Sequence, residues 1–178
     1  IGCEVYVAPE SRHDKKEKYD LRDASYHLIL LAQNEKGYKN LLKLVTFGYM
    51  EGFYYKPRID KELLAEYAEG LIALSSCGRG EIAHNINKEN IPRAIKMAGQ
   101  YRDIMGQDNF FLELQNHKME YQEKINNELV KIGDKLSLPL VATNNCHYLD
   151  REDFHAHEIL LCLQTGKTMS DQYRMRYP

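Results

Sequence analysis

Apolar residues along the chain fall into two kinds of segment that alternate. Short runs rich in Val, Ile, Leu, Phe and Tyr cover residues 1–8, 27–32, 70–75, 109–114 and 138–143. Runs of this length and composition predict strands. Helical spacing recurs between them. Tyr38, Leu41, Leu42, Val45 and Tyr49 share one helix face, and so do Tyr121, Ile125, Leu129, Ile132 and Leu136. Asn90, Pro92, Ala94, Ala98, Tyr101 and Met105 predict a helix that carries its own start signal. A short helix is expected from Asp60 to Tyr67, and a last one over 150–165 with Gly166 as its stop. Three stretches read as connections: the charge-dense residues 12–23, taken as a solvated loop, and residues 34–40 and 52–58.

Near-continuous apolar strands separated by helices predict an α/β fold with a parallel sheet covered by helices. Five such units fit a partial βα barrel or an open α/β sheet. The chain opens inside a strand, which predicts a piece of something longer with further strands before Ile1.

Composition narrows the class. A chain of 178 residues predicts one domain, and 43% hydrophobic with 28% charged residues is a globular balance. The net charge of −2 excludes an overall basic surface that binds nucleic acid by phosphate neutralisation alone. The apolar runs at 28–32 and 138–142 fall far short of the ~20 residues of a membrane helix, so no span is expected. Cys3, Cys77, Cys146 and Cys162 form no CxxC pair. Scattered thiols without a leader pattern predict a reducing cytoplasm.

In a βα fold, chemistry collects where strands end. Residues 75–81, 115–117 and 143–148 follow three of the strands, Glu4 lies within the first, and His27 opens the second. Carboxylate, imidazole and thiol are metal-ligand types. A single strand-end His is ordinarily a hydrogen-bonded structural residue, and a buried Cys a small hydrophobe. Several of them at separate strand ends leave the metal reading and the structural one open together. No GxSxG elbow, P-loop or GxGxxG is present. His155 and His157 stand two apart in an expected helix and point away from each other, which predicts a structural role. Adjacent Cys146 and His147 face opposite ways in a strand, so adjacency makes no catalytic dyad. Residues 53–58 mix Phe, Tyr, Lys and Arg; such a loop can stack and neutralise single-stranded nucleic acid, although a rigid loop with Tyr packed beneath it is the plainer expectation.

Six strings carry a family resemblance. They are Gly-Cys-Glu-Val-Tyr-Val-Ala-Pro at 2–9, residues 27–32, Gly-Phe-Tyr-Tyr-Lys-Pro-Arg-Ile-Asp at 52–60, residues 70–77, residues 141–148, and Gln-Thr-Gly-Lys at 164–167. In this order they resemble the amino-terminal PHP (polymerase and histidinol phosphatase) domain of the alpha-subunit family of bacterial DNA polymerase III, over essentially the whole chain. The resemblance implies a distorted seven-stranded βα barrel, here incomplete and lacking its first strands, with divalent metals at one mouth; zinc or manganese is expected. The family's metal-binding residues fall on Glu4, His27, Cys77 and His147. Asn145 stands where the family's closing Asp-x-His has its carboxylate, and it brings no charge. The His-x-His ligands would lie before Ile1. The resemblance further implies polymerisation with magnesium in a palm beyond Pro178, and DNA and other replicase subunits as partners. For this segment it implies phosphoester hydrolysis, such as proofreading removal of a 3′ nucleotide. A degenerate barrel that only stabilises the polymerase is the alternative. A stand-alone phosphatase fits less well, because strings 52–60 and 164–167 resemble the polymerase branch. The chain alone is expected not to polymerise and to hydrolyse little.

Overall fold

The computed structural model describes residues 1–15 and 24–176, with the backbone but not the side chain of Glu120. The strands are β1 (Gly2–Val7), β2 (Tyr26–Ala32), β3 (Arg58–Ile59), β4 (Leu71–Leu74), β5 (Phe110–Gln115) and β6 (Leu140–Thr143). The helices are α1 (Glu35–Met50), α2 (Lys61–Glu66), α3 (Glu81–Asn87), α4 (Ile91–Met105), α5 (Glu120–Leu136) and α6 (Phe154–Thr165). The six strands form one sheet in the order β3-β1-β2-β4-β5-β6. No described helix is long and apolar enough to cross a membrane.

The sheet corrects the expectation of parallel strands throughout. β1–β3, β4–β5 and β5–β6 pair in parallel, but β2 runs antiparallel to both β1 and β4. An apolar run reports burial and carries no strand direction. The reversal decides where the site lies. The start of β2, with His27, comes to the same edge as the carboxyl ends of the other five strands.

Alternation divides the sheet's two faces. Val5, Val7, Leu28, Leu30, Ala73, Phe110 and Leu112 point to one face and are buried in the core, along with Leu44 of α1, Ile82 and Ile86 of α3, and Leu129 of α5. Glu4, Tyr6, His27, Glu113, Gln115 and Thr143 point to the other, as the pairing register requires.

Helix starts follow the expected capping chemistry. Asn90 accepts from the Arg93 N–H and Asp60 from the Leu63 N–H. Gly166 ends α6 in the left-handed conformation. Residues 34–40 are not a connection: Asn34 caps α1 by accepting from the Gly37 N–H, and the helix begins at Glu35. Gly37 looks like a loop residue, but it is required by contact, since a Cβ there would fall 1.7 Å from the Gly70 carbonyl oxygen.

Of the charge-dense stretch 12–23, residues 16–23 lie outside the described residues. Arg12 itself is not solvated. It pairs with Asp60 at 3.0 Å and Glu51 at 2.7 Å. Two elements were not expected, β3 and α3. β3 is hidden by Arg58, only 1% exposed, whose guanidinium donates to the carbonyls of Gly52, Ala24, Arg12 and Asp14. α3 is short and polar in sequence. Its Glu81 is buried because Lys61 and Tyr101 reach the carboxylate.

Candidate metal centre

The loop after β4 builds the centre of the site. Ser76 takes a positive φ of 66°, and its backbone N–H donates to the buried Glu113 carboxylate at 3.0 Å. Gln115 donates to the same carboxylate at 3.0 Å, and the Thr143 hydroxyl donates to it as well, so Glu113 ties β4, β5 and β6 together beneath the loop. The loop then closes tightly: the Gly80 N–H donates to the Cys77 carbonyl at 2.8 Å, and a Cβ on Gly80 would meet the Ser75 oxygen at 2.1 Å. The backbone N–H of His27 donates to the Arg79 carbonyl at 3.1 Å, which fastens the start of β2 to this loop.

Around the His27 ring the expected side chains meet. Its Nδ1 lies 3.2 Å from Glu4 Oε2 and 3.9 Å from Cys77 Sγ. Tyr6 packs its ring edge-on against the imidazole at 5.1 Å. Burial disfavours the imidazolium, but Cys77 and Glu4 outweigh it and raise the His27 pKa to about 9. The hydrogen bond to His27 holds Glu4 below its ordinary value. Burial pushes the Cys77 thiol up, and His27 with the Arg79 backbone more than reverses this.

The cavity at this edge, about 460 Å³, is lined by Glu4, His27, Cys77, Arg79, Asn145 and His147 among others. All five expected site residues therefore share one cavity. His147 enters from the loop after β6, where burial and the neighbouring His157 and His117 lower its pKa. Its ring lies 5.3 Å from that of His157. Asn145 is positioned by its backbone, whose N–H donates to His117 Nε2 at 3.0 Å. His155 and His157 lie in α6, as expected, and Cys146 is exposed.

The donor chemistry of this set suits a divalent ion. His27 Nε2 is buried without a hydrogen-bond partner among the described residues, which leaves one ring nitrogen uncommitted. Yet no three His, Cys, Asp or Glu side chains among the described residues are placed to hold one ion as they stand, and Nδ1 is engaged by Glu4 and Cys77. An ion would have to displace the protons these groups share. Sequence reasoning did not single out Arg79 or Glu113. Arg79 lies in a string already marked as strand-ending. A carboxylate inside the apolar run 109–114 was the available signal for Glu113.

The PHP domain family matches residues 1–117. The chain belongs to that family. The similarity extends past the matched part of the PHP domain: the chain is 46% identical over 177 residues to DNA polymerase III subunit alpha of Treponema pallidum, covering 99% of this chain and 15% of that protein. It is 46% identical over 178 residues to the Thermus aquaticus subunit, covering 100% and 14%. For Aquifex aeolicus the figures are 43% over 175 residues, 96% and 15%. The PHP chain thus spans about one-seventh of the length of these relatives.

Proposed function

We propose that this chain is PHP-domain sequence from the catalytic subunit of a bacterial replicative DNA polymerase, and that its cavity is a divalent-metal centre for phosphoester hydrolysis. The observation that carries the reading is the meeting of Glu4, His27 and Cys77 around one imidazole nitrogen, in the cavity that His147 also lines. Glu4, His27, Cys77 and His147 would hold zinc or manganese, with Asn145 beside them as a neutral oxygen donor. The ion would supply the Lewis acidity that phosphoester hydrolysis needs. Arg79 offsets charge on an anionic substrate. His147, whose pKa lies below its ordinary value, is unprotonated near neutral pH, which is the state an imidazole ligand needs. The substrate is the 3′-terminal nucleotide of a DNA strand. The barrel would be completed by strands outside this sequence. Polymerisation with magnesium, and contacts with DNA and other replicase subunits, belong to the full-length subunit.

Two observations favour a second reading. Asn145 brings no charge and His27 Nδ1 is closed by hydrogen bonds, as in a degenerate barrel that only supports the polymerase. Nucleotide release from a labelled 3′ end by the alpha subunit carrying this sequence separates the two. Manganese- or zinc-dependent release lost in Cys77→Ala, with polymerisation retained, supports hydrolysis. No metal-dependent release, with Cys77→Ala only lowering thermal stability, supports the scaffold. The 178-residue chain alone should neither polymerise nor hydrolyse appreciably.

A further inference from the structure

The loop after α1 leaves two aromatic rings in solvent. Phe53 is 49% and Tyr55 61% exposed. Their neighbours are packed differently. Arg58 lies over the Tyr54 ring at 4.9 Å, so Tyr54 and Arg58 behave as the rigid base of a loop. Phe53 instead stacks loosely on exposed Tyr49, with centroids 6.3 Å apart and planes 30° from parallel. Tyr55 stands edge-on to Tyr54 at 4.6 Å.

The backbone adds a second observation. Tyr55 has a φ of 59°, the left-handed region, where a side chain is disfavoured and Gly is at ease. Nothing in the core needs a tyrosine there, since its ring points out. The residue sits at the centre of a tight turn, closed by the Tyr54 N–H donating to the Lys56 carbonyl at 3.0 Å, and the turn holds the ring outward.

The loop is also continuous with the cavity. Lys56 Nζ lies 5.6 Å from the centre of the Tyr6 ring, and Tyr6 packs on His27. A second cavity of about 190 Å³ is lined by Glu4, Tyr6, Tyr49 and Pro57 among others, so Glu4 borders both spaces. Glu51 pairs with Arg12 at 2.7 Å and Glu4 with His27. Lys56, against the Tyr6 ring, and Arg79, in the wall of the main cavity, put two cations near the candidate centre.

We infer that Phe53, Tyr55 and Lys56 form a stacking platform for the unpaired end of a nucleic-acid strand, with bases on the rings and the backbone phosphate beside Lys56, leading to the Glu4–His27–Cys77 cavity. Every base has a face to stack, so the platform tolerates any sequence and excludes paired bases. The inference rests on the hydrolytic reading for its direction, but binding at the platform needs no metal.

The test is binding of fluorescent oligothymidylate to the 178-residue chain in chelator, followed by anisotropy. Phe53→Ala and Tyr55→Gly should each weaken binding about fivefold or more, and Tyr55→Phe should preserve it. Tyr55→Gly removes the ring while suiting the left-handed backbone, so its melting temperature should hold and a binding loss cannot come from unfolding. Because the titration is run in chelator and reads binding rather than nucleotide release, its outcome stays separate from the fate of the hydrolytic reading. Equal binding by the parent, Phe53→Ala and Tyr55→Gly overturns the inference. So does tight binding of a blunt duplex that the same variants weaken equally. A change in self-association of the chain with no change in oligonucleotide binding would assign the rings to an interface between copies and also overturn it.

Discussion

Glu4 and His27 sit on neighbouring antiparallel strands, two residues out of register, and their side chains close to 3.2 Å across the diagonal. Glu4 faces Ile29 directly and His27 faces Tyr6. Both point away from the helix-covered core, so their charge is balanced locally, within the cavity, by each other. The contact exists because β2 runs against its neighbours, which brings the first residues of β2 to the mouth.

This pair sets a pH dependence. His27 has an ordinary value of 6.5 and a folded value of about 9. Folding takes up a proton between those limits, so the stabilisation from the charged ring is full below 6.5 and is lost as pH rises through 9. Glu4, held low, contributes above the ordinary carboxylate range and loses its contribution as pH falls through its folded value. Cys77, also held low, has the same sign as Glu4 and contributes most at high pH. In chelator, the melting-temperature gap between the parent and His27→Gln should narrow from about pH 6 to about pH 10. A gap that widens over that range would contradict the assignment.

Glu81 gives a stability prediction away from the cavity. Its buried carboxylate takes Lys61 Nζ at 2.9 and 2.7 Å and the Tyr101 hydroxyl at 2.9 Å. Glu81→Ala strands both donors, and because Lys61 keeps some solvent the loss should be about 2–3 kcal/mol. Glu81→Gln retains an acceptor for Tyr101 and should lose less. Urea unfolding of the three proteins checks the order; a loss below about 0.5 kcal/mol for Glu81→Ala would show the network to be energetically idle.

The sequence made the long elements legible because each has one dominant signal. The runs that become β1, β2, β4, β5 and β6 are apolar and short, and α4 opens on Asn90 and Pro92. β3 was illegible because it is two residues long and one of them is Arg58. A cation opening a two-residue strand looks exposed until backbone carbonyls from four separate residues are seen to surround it. Asn34 and Gly37 looked like loop residues, although one is a cap and the other a contact with Gly70. In the site, strand-end chemistry and family resemblance marked Glu4, His27, Cys77, Asn145 and His147. Strand direction carries no sequence signal, so the reason His27 meets Cys77 was hidden, as was the Glu113 support under Ser76.

Asn145 offers a gain-of-function prediction. It lines the cavity with His147, while its backbone is held by His117. Asn145→Asp adds an anionic oxygen, and hard cations favour charged oxygen over an amide. Calorimetric titration should show tighter manganese binding by about tenfold, equivalent to ~1.4 kcal/mol. Unchanged affinity with a lower melting temperature would mean that the side chain turns away from the ion.

The central claim is that Glu4, His27, Cys77 and His147 hold one divalent ion together. The most direct measurement is titration of zinc, and separately manganese, into the 178-residue chain, Cys77→Ala and His147→Ala, with thermal melts alongside. The account predicts saturable binding by the parent with proton release as His27 and Cys77 give up their shared protons, and at least tenfold weaker zinc binding by both folded variants. Equal affinity in all three folded proteins, or no saturable binding by the folded parent, would contradict it.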